Sequence, residues 1–183
     1  MNGNECIRLR LSGEQAYRYY RKSGKRHLFL TGDRGSGKTT LFQKLRPRLA
    51  ESSVPGITTW AVPKNGVFLK GNCSGDFVQI GKYVSGADGQ SHKMEPIPQS
   101  FEQHGCRLLE QCLNSTSEWV SIDEIGYLDA SSERYCQTIL KLLECKQVLA
   151  VLRKKDFPFL NELKARDDVC VIDLDFPEFY LDQ

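Results

Sequence analysis

An α/β fold is predicted for this chain: three layers around a mainly parallel central sheet, with a β-hairpin insertion. Three observations predict it. Short continuous apolar runs alternate with segments whose apolar residues recur at helical spacing. A glycine-rich loop joins the first such run to a helix, and the acidic pair Asp123-Glu124 closes a later one. Apolar runs of this kind suit strands buried on both faces, which a parallel sheet covered by helices provides.

The elements follow in order. Ser12-Gly13-Glu14-Gln15 has the spacing of a capping box and Gly24 is a natural helix stop, so a helix precedes the first strand. Its basic residues Arg18, Arg21 and Lys22, with Lys25 and Arg26 beyond, read as a solvated face. His27–Thr31 is a buried strand, and Leu41, Phe42, Leu45 and Leu49 mark a helix from Thr39 to Leu49. Pro47 predicts a kink or an early stop there, because it removes a helical hydrogen bond and crowds the carbonyl of Gln43. Pro55-Gly56 turns the chain into the β-rich run Ile57–Val62. Val67–Leu69 and Phe77–Ile80 predict hairpins, and residues 84–98 read as loop. The stretch 57–98 is too short for a second domain and is taken as an elaboration of a single domain spanning 1–183. A helix is expected from Ser100, then a strand Trp119–Ile122 ending at Asp123-Glu124, and a helix from Glu133 to Glu144. A continuous strand Val148–Leu152, a short helix Phe157–Ala165 opened by Asp156, and a last strand Val169–Ile172 complete the alternation.

The chemistry concentrates at two of these junctions. Gly32-Asp33-Arg34-Gly35-Ser36-Gly37-Lys38-Thr39 fills every fixed position of G-x-x-x-x-G-K-[ST], in the strand-loop-helix context that motif needs. The glycines let backbone N–H groups turn inward around phosphate, Lys38 reaches its outer oxygens, and the Thr39 hydroxyl can ligate Mg²⁺, with Thr40 next in the helix. Asp123, at a strand end on the same edge, would hold Mg²⁺ from the other side through water, while Glu124 would polarise a water for in-line attack on a γ-phosphate. Charge spread over the phosphoryl oxygens calls for a cation, and Arg153, directly after the apolar strand 148–152, is the candidate ahead of Lys154 and Lys155. Arg34, inside the loop, has a variable position in this motif. In sheets of this kind ligands collect outside the carboxyl ends of the strands, which is where all these residues fall.

Composition narrows the partners. The formal charge of +2 does not call for nucleic acid. No apolar run approaches the ~20 residues needed to span a bilayer, so no membrane association is expected. Seven scattered cysteines, odd in number and without a C-x-x-C pair, read as reduced thiols and suggest the cytoplasm. The reading is an enzyme that cleaves nucleoside triphosphates such as ATP or GTP with Mg²⁺. Two alternatives stay open: a small-molecule or nucleotide kinase with an acceptor pocket built from 57–98, and a nucleotide-gated module whose slow hydrolysis times contact with a protein partner. No stretch supplies a guanine-reading motif.

These residues resemble the small P-loop nucleoside triphosphatases of the THEP type over most of the chain. Gly32 to Thr40 looks like that family's loop, Gly56-Ile57-Thr58-Thr59 like its G-aromatic-x-T stretch, and Ile122-Asp123-Glu124-Ile125-Gly126 like its V-D-E-I-G motif. The stretch from Arg153 to Arg166 is similar to its closing basic loop and helix. The chain departs from the pattern at Asp33 and Arg34, where prolines are usual, at Trp60 and Ala61, where acids are usual, and at Asp129, one methylene shorter than the usual Glu. The resemblance implies a RecA-like core that hydrolyses ATP, GTP and other nucleoside triphosphates with Mg²⁺.

Overall fold

The computed structural model describes residues 10–50, 53–85 and 92–181. Eight strands form one sheet in the order β5-β4-β3-β2-β6-β7-β1-β8. Its parallel part comprises β2 (Gly56–Val62), β6 (Trp119–Ile125), β7 (Gln147–Leu152), β1 (His27–Thr31) and β8 (Val169–Asp173). The antiparallel strands β3 (Gly66–Gly71), β4 (Phe77–Ser85) and β5 (His92–Pro96) extend it beyond β2. The predicted hairpins are therefore present, joined edge to edge with the parallel strands.

Helices cover both faces. On one, Ala16 and Tyr20 of α1 (Gly13–Ser23) and Leu41, Phe42 and Leu45 of α2 (Lys38–Leu49) pack on Leu28, Leu30, Leu149 and Val151. On the other, α4 (Cys106–Leu113), α5 (Glu133–Cys145) and α6 (Pro158–Ala165) pack through Leu109, Ile139, Leu142 and Leu160 on Phe29, Ile57, Ile122 and Ala150. All five residues of β1 are buried, as a strand covered on both faces requires. The alternation read from the sequence is thus the three-layer arrangement observed.

Local signals hold at α1, where the Ser12 and Gln15 side chains complete the capping box and Gly24 closes the helix at φ 65°. Elsewhere the structure corrects the reading. The helix α2 runs two residues past Pro47 and ends at Leu49, so the proline, which leaves the Gln43 carbonyl without its helical donor, falls in the last turn. Residues 84–98 are not simply loop: β4 continues to Ser85 and β5 occupies His92–Pro96, with 86–91 outside the described residues. Pairing of Gly81 through Ser85 with His92 through Pro96 supplies the backbone partners that local sequence did not advertise. The helix expected from Ser100 begins earlier, as α3 (Pro98–Ser100), and passes through a π-helical turn Phe101–Gly105 before α4. The residue preceding α6 is Phe157 rather than Asp156, whose carboxylate instead accepts from Asn161 Nδ2 at 2.6 Å. Six of the seven cysteines lie in described segments and all six are free, while Cys6 lies outside them.

Candidate active site

The glycine-rich loop connects β1 to α2 at the carboxyl edge of the sheet. Gly32 has φ 142° and Gly37 φ 96°, values that side chains disfavour, and a Cβ on Gly32 would lie 2.7 Å from Ser36 Oγ. Gly37 precedes α2 without a side-chain cap, so the first N–H groups of the helix face the loop unsatisfied by any side chain. Lys38 Nζ folds back and donates to the carbonyls of Gly32 and Asp33, both at 2.8 Å. Ser36 Oγ is buried without a hydrogen-bond partner. Uncapped N–H groups at the start of α2 and a lysine ammonium held only by loop carbonyls are what a polyphosphate would complete.

Two strands away, β6 delivers the acidic pair. Its pairing with β7 is irregular between Asp123 and Ile125, which takes Glu124 out of the regular ladder, and the Asp123–Glu124 peptide is cis. Burial, reinforced by Glu124, pushes the Asp123 carboxyl up to about 6. Glu124 N donates to Thr59 Oγ1 at 3.2 Å, tying the end of β6 to β2. The Glu124 carboxylate meets Arg153 Nε at 3.5 Å, and the guanidinium lies 5.5 Å from the centre of the Tyr127 ring. Arg153 N also donates to Ile125 O at 2.9 Å, so the base of this side chain is fixed to β6.

The three basic residues after β7 therefore part company. Arg153 turns to Glu124. Lys154 turns the opposite way, bridging Asp173 Oδ2 at 3.0 Å and Asp175 Oδ2 at 2.7 Å, and Asp175 in turn accepts from Asp33 N at 3.0 and 2.9 Å. Lys155 lies over the outer side of the site, 5.2 Å from the Tyr127 ring centre.

Two hollows meet here. One, of about 780 Å³, is lined by the phosphate loop from Gly32 to Thr40, including Asp33, Arg34, Gly35 and Lys38, and by Glu124, Arg153, Lys154 and Lys155. The other, of about 580 Å³, lies between β6 and the antiparallel extension and is lined by Thr39, Thr59, Asp123, Glu124, Asp129 and Arg153 against an apolar wall of Val67, Ile80, Met94 and Leu128. Thr39, Ala61, Glu124 and Arg153 border both. The hollow opens because β2 pairs with β6 only through Gly56–Thr58. Thr39 and Asp123 contribute hard oxygen donors to it, the kind Mg²⁺ prefers, so these residues fit that ion.

Some participants escaped the sequence reading. Asp173 and Asp175 flank Leu174 just where the last strand ends, an edge signal that was available. Tyr127 and the hydrogen bond from Glu124 to Thr59 depend on tertiary contacts and left no local trace. Asp129 is buried, accepts from Gly126 N at 2.7 Å through Oδ2, and leaves Oδ1 without a partner among the described residues.

Comparison with known proteins follows the same outline. The model of a family described as NTPase matches residues 27–178. The nucleoside-triphosphatase THEP1 of Thermotoga petrophila is 27% identical over 162 residues, covering 80% of this chain and 83% of that protein. A mouse protein named cancer-related nucleoside-triphosphatase homolog is 29% identical over 175 residues, covering 81% of this chain and 88% of its own length. The crystal structure of THEP1 from Aquifex aeolicus superposes with a TM-score of 0.64 at 23% identity, covering 85% of this chain and 96% of that one, which shows a shared fold.

Proposed function

From the chain's membership of the NTPase family, whose model spans residues 27–178, we propose that it hydrolyses ATP, GTP and other nucleoside triphosphates to the diphosphate and phosphate with Mg²⁺. The observation that carries this is the meeting of Glu124 and Arg153 at 3.5 Å on the border of the phosphate loop's hollow. The loop N–H groups and Lys38 would hold the β- and γ-phosphates, and Thr39 and Asp123 would hold the metal. When bound, Mg²⁺ neutralises phosphate charge as a Lewis acid. Glu124 takes a proton from water as its oxygen bonds to the γ-phosphorus, and the bond from that phosphorus to the β-bridging oxygen breaks. Arg153 meets the charge that spreads over the transferring oxygens. The free thiols suit a reducing compartment, and we place the protein in the cytoplasm.

Replacing Glu124 by Gln tests the reading. Mg²⁺·ATP should still bind while phosphate release falls about 10²- to 10⁴-fold. Release at the parent rate would remove Glu124 as the base.

One observation favours a second reading. A hydrolase needs room beside the γ-phosphate for one water, about 30 Å³ of liquid volume, yet the hollow behind Glu124 measures about 580 Å³ and has an apolar wall. That space would suit a hydroxyl-bearing acceptor, with Glu124 taking its proton instead. Incubation with γ-labelled ATP separates the two: label in inorganic phosphate without any added acceptor supports hydrolysis, whereas label that moves only onto an added alcohol supports transfer.

A further inference from the structure

Among the described residues only four large apolar side chains are conspicuously exposed, and they lie on opposite sides of β6. Trp60, on β2, and Phe77, at the start of β4, are on one side, and Phe176 and Phe179 follow β8 on the other. The strand order decides which end can meet a nucleoside. Asp123 and Glu124 sit at the end of β6, and β7, β1 and β8 follow in turn. A triphosphate lying on the loop with its γ-phosphate toward Glu124 must direct its other end away from β6, toward β8. Trp60 and Phe77 are on the γ-phosphate side and are excluded by that direction.

We propose that Phe176, seconded by Phe179, is the stacking platform for the nucleobase. Three observations place it within reach. Asp175, the adjoining residue, accepts the loop's own Asp33 N–H between its two carboxylate oxygens, so the segment after β8 is tied to the loop. A cleft beside the loop is lined by Ser36 and Gly37 of the loop, Thr40 and Lys44 of α2 and, from the segment that carries Phe176, Leu174 and Pro177. Phe176 is 47% exposed as a residue and has Lys154 Nζ 5.1 Å from its ring centre, while Phe179 is 65% exposed with its ring centre 6.1 Å from that of Phe176. A hydrophobic ring left in water beside a charged loop gains by stacking on a flat, polarizable base. Every base offers the same π-face, so such a platform binds adenine, guanine, cytosine and uracil with little distinction. The inference rests on the nucleotide reading above and adds to it the side chains that hold the base.

The test is calorimetric binding of ADP, GDP, CDP, UDP and pyrophosphate, each with Mg²⁺, to the parent, Phe176→Ala and Phe176→Trp proteins. Diphosphates avoid turnover of the γ-phosphate, and pyrophosphate lacks a base. Phe176→Ala should raise the Kd of all four nucleotides about 5- to 50-fold, Phe176→Trp should restore them, and pyrophosphate should bind all three proteins alike. Unchanged nucleotide affinity in Phe176→Ala overturns the proposal, as does pyrophosphate weakening in step with the nucleotides, which would mark a disturbed loop. A parent protein that binds no nucleotide would instead overturn the nucleotide reading itself.

Discussion

The parallel and antiparallel parts of one sheet differ in what they can be asked to do. In the parallel part, strands such as β1 and β7 are buried along nearly their whole length, and their carboxyl ends bring Asp123, Glu124, Arg153 and the phosphate loop to one edge. In the extension, burial alternates or fades, and Phe68 and Phe77 gather with Trp60 of the adjoining β2, ring centres 5.5 to 6.4 Å apart. Covered strands fix backbone positions closely, so reactive groups sit at their ends. A half-exposed extension fixes them less, and it contributes a wall rather than chemistry.

Breaking the parallel edge should have the largest effects. Lys38→Ala should lower kcat/KM for ATP by about 10³-fold or more while circular dichroism and thermal melting stay near the parent, since its ammonium bonds only to loop carbonyls. Near-parent turnover would detach the loop from the chemistry. Next, Arg153→Ala should depress kcat on the order of 10³-fold with little change in KM. Lys154→Ala, which frees Asp175 from its ion pair behind the loop, should raise KM and largely spare kcat. Steady-state kinetics on both variants would expose an inverted pattern and with it an exchange of roles.

The seam between the two parts offers a smaller, pH-dependent effect at Asp129. Burial pushes its carboxyl up to about 7 although the Gly126 N–H bond works against that. The folded protein therefore holds this proton more tightly than the unfolded chain does. Its contribution to stability falls as pH rises from the ordinary carboxylate range toward 7, and is flat above it. Asp129→Asn should remove that dependence, so its Tm relative to the parent should climb between pH 4.5 and pH 8. A Tm difference that stays constant over the range would contradict the buried, proton-retaining carboxyl. The smallest effect on catalysis is expected in the extension, where Phe77→Ser, at a side chain 62% exposed but packed by its ring on Trp60 and Phe68, should lower stability by about 1 kcal/mol in denaturant titration and leave kcat/KM unchanged.

Legibility followed the same division. The loop Gly32–Thr39 and the pair Asp123-Glu124 could be read because each residue type has a local job in a strand-loop-helix or strand-end setting. The chain alternation foretold the layers, and Ser12 with Gln15 foretold the start of α1. By contrast, β5 could not be seen in His92–Pro96, because its identity as a strand rests on backbone bonds to β4 rather than on its own propensity.

What the sequence determined by itself was the set of chemical groups, the alternation of strands and helices in the parallel part, and the sheet edge on which those groups gather, since periodicity and motif spacing are local quantities. What only tertiary structure decided was direction. Arg153 and Lys154 are adjacent in a basic run, yet one meets Glu124 from β6 and the other meets Asp173 and Asp175 beside β8. The strands that supply those partners flank β7 and β1 in space while lying far apart in the chain. Side-chain orientation depends on which charges the fold brings near, and no spacing along one segment carries that information.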